Sequence, residues 1–304
     1  MDIYYKRTGE VVVEMGRLSG VHEPLILTVD NGGTNTRVAR GGPAIRGIET
    51  YTTPQDYDKA IGRLAMTASL LLDGRRPDAI GFSVAGKIEN GRIVSAGELQ
   101  KYGWAGRPFA EDVAAAMGVP LDRIALLNDC VAGGNSERHM RRLLAGETGA
   151  FMVLSTGLGG ALYDRDEVIA DEPGHHYLKP GAMCGDGEDG HIEAHIGGAG
   201  IARKYGERGE NIPHDDPRWQ EIKDDFHEGI ARTVTRYEIE QGRHLQVIGF
   251  TGSVVLGGPD MLGGLQQDLT VRLGGNAPRI EEAVHGEDSG LHGAAFAAEE
   301  LLAA

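Results

Sequence analysis

The sequence predicts an α/β protein made of two related halves. Short β-rich runs alternate with amphipathic helical segments along the chain. A unit of strand, Gly-rich loop with a threonine, and hairpin occurs from residue 25 and again from residue 151. That spacing indicates duplicated domains, because stacked repeats recur every ~20–50 residues. The length of 304 residues allows about two domains, each with its own core.

Taken in order, Val11-Val12-Val13 and Leu25-Ile26-Leu27-Thr28-Val29 read as strands, and the second runs into Asp30-Asn31-Gly32-Gly33-Thr34-Asn35. Arg37 to Arg40 and Ile45 to Tyr51 form a hairpin around Gly41-Gly42-Pro43. Ile61, Leu64, Ala65, Ala68 and Leu72 have helical spacing, with Asp56 as the N-cap. Ala79 to Val84 is a buried-type strand, and Lys87 to Val94 a hairpin with an Asn90-Gly91 turn. A helix over Pro108 to Met117, a strand over Ile124 to Leu127 and a helix over Val131 to Leu144 follow. The second unit has a strand at Phe151 to Leu154, the loop Ser155-Thr156-Gly157-Leu158-Gly159-Gly160, and a hairpin from Ala161–Tyr163 and Val168–Ala170. A polar helix from Pro217 to about Gln241, a strand at Gln246 to Phe250 and an Ala-rich helix from Gly290 complete the chain. The division is placed near residue 120, giving domains 1–120 and 121–304, with the final helix, about 290–304, packing back on the first.

Composition narrows the function classes. With 30 Lys and Arg against 45 Asp and Glu, the formal net charge is −15. Such a chain repels nucleic acid and anionic membrane unless it segregates a basic face, and no basic run exists. Cys130 and Cys184 are too few for a disulfide framework, and no apolar run approaches the ~20 residues of a membrane span. The expectation is a cytoplasmic protein with small-molecule substrates.

The 47 glycines are below the share that marks a low-complexity chain once Pro is added, so they are sought in specific loops. Two Gly-rich loops after strands, carrying Thr34 and Thr156, can point several backbone N–H groups at phosphate oxygens; each alone is also an ordinary tight turn. Asp30 beside such a loop implies Mg²⁺, and Gly252 and Ser253 after the third strand are placed for a nucleotide. Asn128-Asp129 lies between a strand and a helix, where Asp129 serves as an N-cap or as the base that accepts a hydroxyl proton during phosphoryl transfer. Between residues 172 and 195, Glu172, His175, His176, Cys184, Asp186, His191, Glu193 and His195 form a segment with the donor types of a zinc site; a solvated acidic loop with scattered histidines has the same composition. Two motifs mislead. Gly81 to Ile88 approximates a phosphate-binding P-loop but ends in Ile88 and enters a hairpin, and Gly185 to Gly190 approximates a dinucleotide fingerprint but carries three carboxylates.

From about residue 25 onward these motifs together resemble the ROK-family sugar kinases of the actin-like, hexokinase-type ATPase superfamily. Asp30 to Arg37 and Ser155 to Gly160 resemble that family's two phosphate loops, and Asp288 to Ala295 its closing nucleotide-side helix. The resemblance implies two duplicated actin-like (ribonuclease H-like) domains around a cleft, with Asp129 as the catalytic base. It also implies that Gly86, Asn128, Glu172, His175 and Glu193 hold a sugar. Asp30, Gly32, Gly33, Thr34, Asn35, Arg37, Thr156, Gly157, Gly252 and Ser253 would hold Mg²⁺ and ATP. The family's zinc segment corresponds to Cys184 to Glu193, where two of its three cysteines are Asp186 and His191; the zinc set would be His175, Cys184, Asp186 and His191. Ser95-Ala96-Gly97-Glu98-Leu99 replaces a sugar-contacting stretch that contains Asn. The implied activity is ATP-dependent phosphorylation of a hexose, the glucose 6-hydroxyl first, by a homodimer. A non-catalytic sugar sensor and a metal-dependent hydrolase using the His175–His195 cluster are the alternatives, the first disfavoured by the lack of a helix-turn-helix pattern in residues 1–24.

Overall fold

The computed structural model describes residues 2–5, 11–14, 23–42, 44–240 and 242–303; the expected positions of Pro43 and Gln241 lie outside them. β1 (Asp2–Tyr5) and β2 (Val11–Glu14) pair antiparallel as a separate two-stranded sheet.

The first half is a five-stranded sheet of β3 (Ile26–Asn31), β4 (Asn35–Arg40), β5 (Arg46–Thr52), β6 (Ala79–Val84) and, after the short hairpin β7 (Ile88–Glu89) and β8 (Arg92–Ile93), β9 (Ile124–Asn128). Its order is β5-β4-β3-β6-β9. The first three strands form an antiparallel meander, while β6 and β9 join in parallel. The division expected near residue 120 therefore falls ahead of β9, whose five residues complete this sheet. Asn90 and Gly91 both take positive φ, as a two-residue hairpin turn demands.

Helix α1 (Tyr57–Leu71) starts where Asp56 accepts a hydrogen bond from the Lys59 N–H at 2.9 Å. With α2 (Phe109–Met117) it covers one face of the sheet. Tyr57, Leu64, Ala68 and Phe109 meet Leu27, Val29, Ile80 and Phe82 in one buried core.

The second half repeats the plan with β10 (Thr148–Leu154), β11 (Leu158–Tyr163), β12 (Val168–Asp171), β13 (Leu245–Thr251) and β14 (Arg279–Glu282), ordered β12-β11-β10-β13-β14. Counted from the first strand of each half, the order and the strand directions are identical. The long helix after β12 is amphipathic: Trp219, Ile222, Phe226, Ile230, Val234 and Tyr237 recur at helical spacing and enter the second core.

Two helices join the halves. α3 (Asp129–Arg141) leads from β9 to β10 and begins two residues before the expected Val131, because Asn128 caps it. It stops at Arg141, short of the expected Leu144, where Arg142 turns left-handed at φ 50°. The C-terminal helix (Ser289–Ala303) returns to the first sheet, where Ala298 packs with Ile26 and Ala79. It also lies against α3, since Asn135 Nδ2 donates to Gly293 O at 2.9 Å. Any side chain at Gly293 would collide with the backbone of Ala132, so glycine permits this close crossing. Among the described residues, no helix is long and apolar enough to cross a membrane.

Candidate functional site

Between the halves lies a cleft of about 850 Å³ whose walls include Gly86 after β6, Asn128 at the end of β9 and Asp129 at the start of α3, with Gly157, Glu172 and Glu193 from the second half. The strand-to-helix turn after β9 shapes its floor. Asn128 Oδ1 accepts the N–H groups of Cys130 (3.0 Å) and Val131 (3.2 Å), so Asn128, not Asp129, caps α3. Its Nδ2 donates to Gly86 O and to Asp129 Oδ1, each at 2.9 Å. Gly86 sits at φ 114°, and a Cβ there would run into Ser95 O. Asp129 Oδ1 shares the Cys130 N–H at 2.9 Å, and the side chain lines the cleft.

Its surroundings alter its acidity. Burial is the largest cause and raises the Asp129 carboxyl to about 6; the Cys130 N–H opposes this, while the charges of Asp30 and Glu172 add to it. Glu172 is also raised, first by burial, with His175 opposing and Glu193 adding. Glu193 spans two regions. Its Oε2 accepts the Leu158 N–H at 3.3 Å at the second Gly-rich loop, and its Oε1 accepts the Cys184 Sγ–H at 3.0 Å.

A second cavity of about 570 Å³ lies on the other side of that loop. Thr34 after β3, Thr156 after β10 and Ser253 after β13 all reach it, which brings together three loops that are far apart in sequence. In the first loop, Gly32 N–H donates to Asn35 O at 3.0 Å, leaving Gly33 and Thr34 at the tip of a tight turn. In the third, Gly252 takes φ 106° where a side chain would strike Leu154. Asp30 and Arg37 line neither cavity and are held in a network: Asp30 Oδ2 accepts Arg37 Nη2 at 2.6 Å, Oδ1 accepts Ser83 Oγ at 2.7 Å, and Arg37 Nη1 reaches Asp288 at 2.7 Å. Sequence reasoning missed the wall formed by Ala199, Arg208, Glu210 and Trp219. The run Gly197-Gly198-Ala199-Gly200 was the available signal, since it lets the helix over Gly198–Tyr205 start against Ser155 and Thr156.

The metal-type residues also converge. One donor atom from each of His175, Cys184, Asp186 and His191 lies within 4.8 Å of all the others. His175 Nδ1 is 2.9 Å from Asp186 Oδ2, 3.3 Å from His191 Nδ1 and 4.0 Å from Cys184 Sγ. A tetrahedron with ~2.1–2.3 Å bonds has edges of roughly 3.4–3.8 Å; the observed separations of 2.9–4.0 Å lie on both sides of that range, so the donor types suit zinc and side-chain shifts of about half an ångström would bring the four to its geometry. His191 Nε2 meets Glu188 at 3.1 Å, the outer contact that ligand histidines usually make. His175 therefore directs its Nδ1 into this cluster and does not line the cleft, while His195 lies apart with its Nε2 on Lys179 O at 2.9 Å. Of the two misleading motifs, Gly185 to Gly190 spans part of this metal-type loop, and Lys87 pairs with Glu89 at 2.7 Å at the cleft edge.

The chain is 25% identical over 273 residues to an N-acetyl-D-glucosamine kinase of Salmonella gallinarum, a match covering 81% of this chain and 88% of that protein. In fold it is similar to a ROK hexokinase from Thermus thermophilus (TM-score 0.73, 23% identity, 91% of this chain and 99% of that one). It is likewise similar to a ROK-family glucokinase from Streptomyces griseus solved with glucose and AMPPNP (TM-score 0.71, 20% identity, 91% and 99%). The paired sheets and the cleft between them are those of the actin-like ATPase fold. With the sequence model described as the ROK family matching residues 26–300, nearly all of both halves, the chain belongs to that family.

Proposed function

We propose that this protein transfers the γ-phosphoryl group of ATP to a hydroxyl of a hexose or N-acetylhexosamine, the 6-hydroxyl first among them. The observation that carries the reading is Asp129. It is held in a two-sided cleft with its carboxyl at about 6, close to the pH at which a general base works best. The kinase relative and the nucleotide-analogue complex of the fold neighbour support the same reading.

In the mechanism, the sugar occupies the 850 Å³ cleft, oriented by Asn128, Gly86, Glu172 and Glu193. Thr34, Thr156 and Ser253 hold the triphosphate in the adjoining cavity. Asp129 accepts the hydroxyl proton as the sugar oxygen bonds to the γ-phosphorus and the bond to the ADP oxygen breaks. Positioning and charge neutralisation account for most of the catalysis of phosphoryl transfer. Asp30, whose oxygens are held by Arg37 and Ser83, would give Mg²⁺ a hard oxygen donor by exchanging one of those contacts, and Mg²⁺ would neutralise phosphate charge there. His175, Cys184, Asp186 and His191 would hold a structural zinc, bracing the segment that carries Glu172 and Glu193.

The test is ATP consumption with glucose, mannose, N-acetylglucosamine and N-acetylmannosamine, each with Mg²⁺. At least one sugar should drive ADP release. No sugar-dependent ADP release, or sugar turnover without nucleotide, would overturn the reading.

A further inference from the structure

At the far end of α3 from Asp129 lies a third cavity, of about 340 Å³. Arg138, His139, Arg142 and Arg165 line it together with Leu143 and Leu144, and no carboxylate does. In a chain of net charge −15, three guanidinium groups around one depression are a local reversal of sign.

The helix dipole accounts for part of this. Cations in the last turn of a helix interact favourably with its C-terminal carbonyls, which covers Arg138 and His139. It does not explain Arg165, which comes from the turn between β11 and β12, nor Arg142, which lies past the helix end. These two are also the least neutralised. Among the described residues the Arg142 side chain has no hydrogen-bond or ion-pair partner, and Arg165 has only Asp166 at 3.9 Å. Arg138 is engaged, with its Nη2 2.8 Å from Asn135 Oδ1 and 2.5 Å from Glu300 Oε1. Guanidinium groups from two elements, one without a described partner and one with only a 3.9 Å ion pair, beside Leu143 and Leu144 suit an anion with several acceptor oxygens.

We propose that this cavity binds a phosphate dianion, either free or as the phosphoryl group of a small phosphomonoester, with Arg142 and Arg165 as its principal donors. Because Arg138 also holds Glu300 of the C-terminal helix, the ligand competes with a tie between the two helices that join the halves. The assignment does not depend on the kinase reading, since it uses none of the cleft residues.

Calorimetric titration of the full chain at constant ionic strength tests it, with inorganic phosphate in one arm and glucose 6-phosphate in the other. Binding of at least one is expected, weakened about a hundredfold in Arg142→Gln/Arg165→Gln, since each lost charge-assisted hydrogen bond removes about tenfold in affinity. Because glucose 6-phosphate also fits the cleft as a product, only the binding that Arg142→Gln/Arg165→Gln loses reports on this cavity: a larger loss for glucose 6-phosphate than for phosphate identifies a phosphomonoester ligand, and an equal loss identifies free phosphate. Arg165→Gln alone, in an exposed turn, should show a smaller loss and serves if the double variant unfolds. No binding to the wild type at tens of millimolar, or undiminished binding in the variants, would overturn the proposal, the latter because phosphate at the Gly-rich loops is untouched by these substitutions.

Discussion

Helix α3 carries two acidic side chains whose fates differ. Glu137, in its interior, is fully buried and fully answered: one oxygen takes the Arg141 guanidinium, and the other accepts the Val284 N–H at 2.7 Å. Asp129, at its first turn, is also crowded by protein, yet its hydrogen bonds converge on Oδ1 and no described cation pairs with it. Burial is common to both; a counter-charge belongs to only one. A carboxylate that is buried and paired is structural, whereas one that is buried and unpaired has its proton affinity raised and its reactivity kept.

The largest expected effect breaks the comparison at Asp129. Asp129→Ala should lower kcat about 10²–10⁴-fold, the usual contribution of a positioned base, while calorimetry still detects sugar binding. Near-normal turnover would show that the base is elsewhere. Glu137→Ala should do the converse. It removes one of the two carboxylates that hold Arg141 and leaves the Val284 N–H without its acceptor, at a cost of about 1–3 kcal/mol by denaturant unfolding, and leaves the activity of the folded fraction unchanged.

The acidity of Asp129 sharpens the contrast. With the carboxyl at about 6 in the folded state and 3.8 as the unfolded reference, the native state binds more protons between those values, so stability falls as pH rises through that window. Asp129→Asn should therefore be the more stable protein above pH 6 by about 1–2 kcal/mol, allowing for water in the cleft, with the gain gone below about pH 4. In the wild type, kcat/KM should fall as pH drops below about 6, because the base is then protonated. A flat profile would detach Asp129 from the reaction.

The smallest effect lies where the C-terminal helix begins. His292 stacks on His285 with ring centroids 3.5 Å apart, and burial, with the neighbouring His285 adding, lowers it to about 4. The unfolded chain takes this proton first, near 6.5, so stability should be lost as pH falls from 6.5 toward 4. His292→Gln should flatten that slope by about 2–4 °C in Tm. An unchanged slope would assign the acid sensitivity to other groups.

Much of the site was legible because its parts are local in sequence. Asn128-Asp129 could be placed between an apolar strand and a helix, the two threonine loops sit at matching points of a repeat, and the donors from His175 to His191 are close along the chain. Which of the two adjacent residues caps α3 was not legible, because Asn and Asp are equally good caps and only the Gly86 carbonyl, just past the neighbouring strand β6, recruits the Asn128 amide. Arg208, Glu210 and Trp219 lacked a motif, and Trp219 reaches the second cavity through the packing of the second core. The convergence of Arg165 on Arg138 and Arg142 belongs to the same class.

By itself, then, the sequence determined the local chemistry: strand and helix periods, glycines at tight turns, and donor atoms a few residues apart. These follow from backbone sterics and side-chain type, which act over short stretches of chain. The tertiary structure decided what required distant segments to meet. It closed the first sheet with β9, laid the last helix across Ile26 and Ala79, and joined Arg37 to both Asp30 and Asp288. Those pairings arise from burying apolar surface and answering buried polar groups across the whole chain, and neither is encoded in any one window of residues.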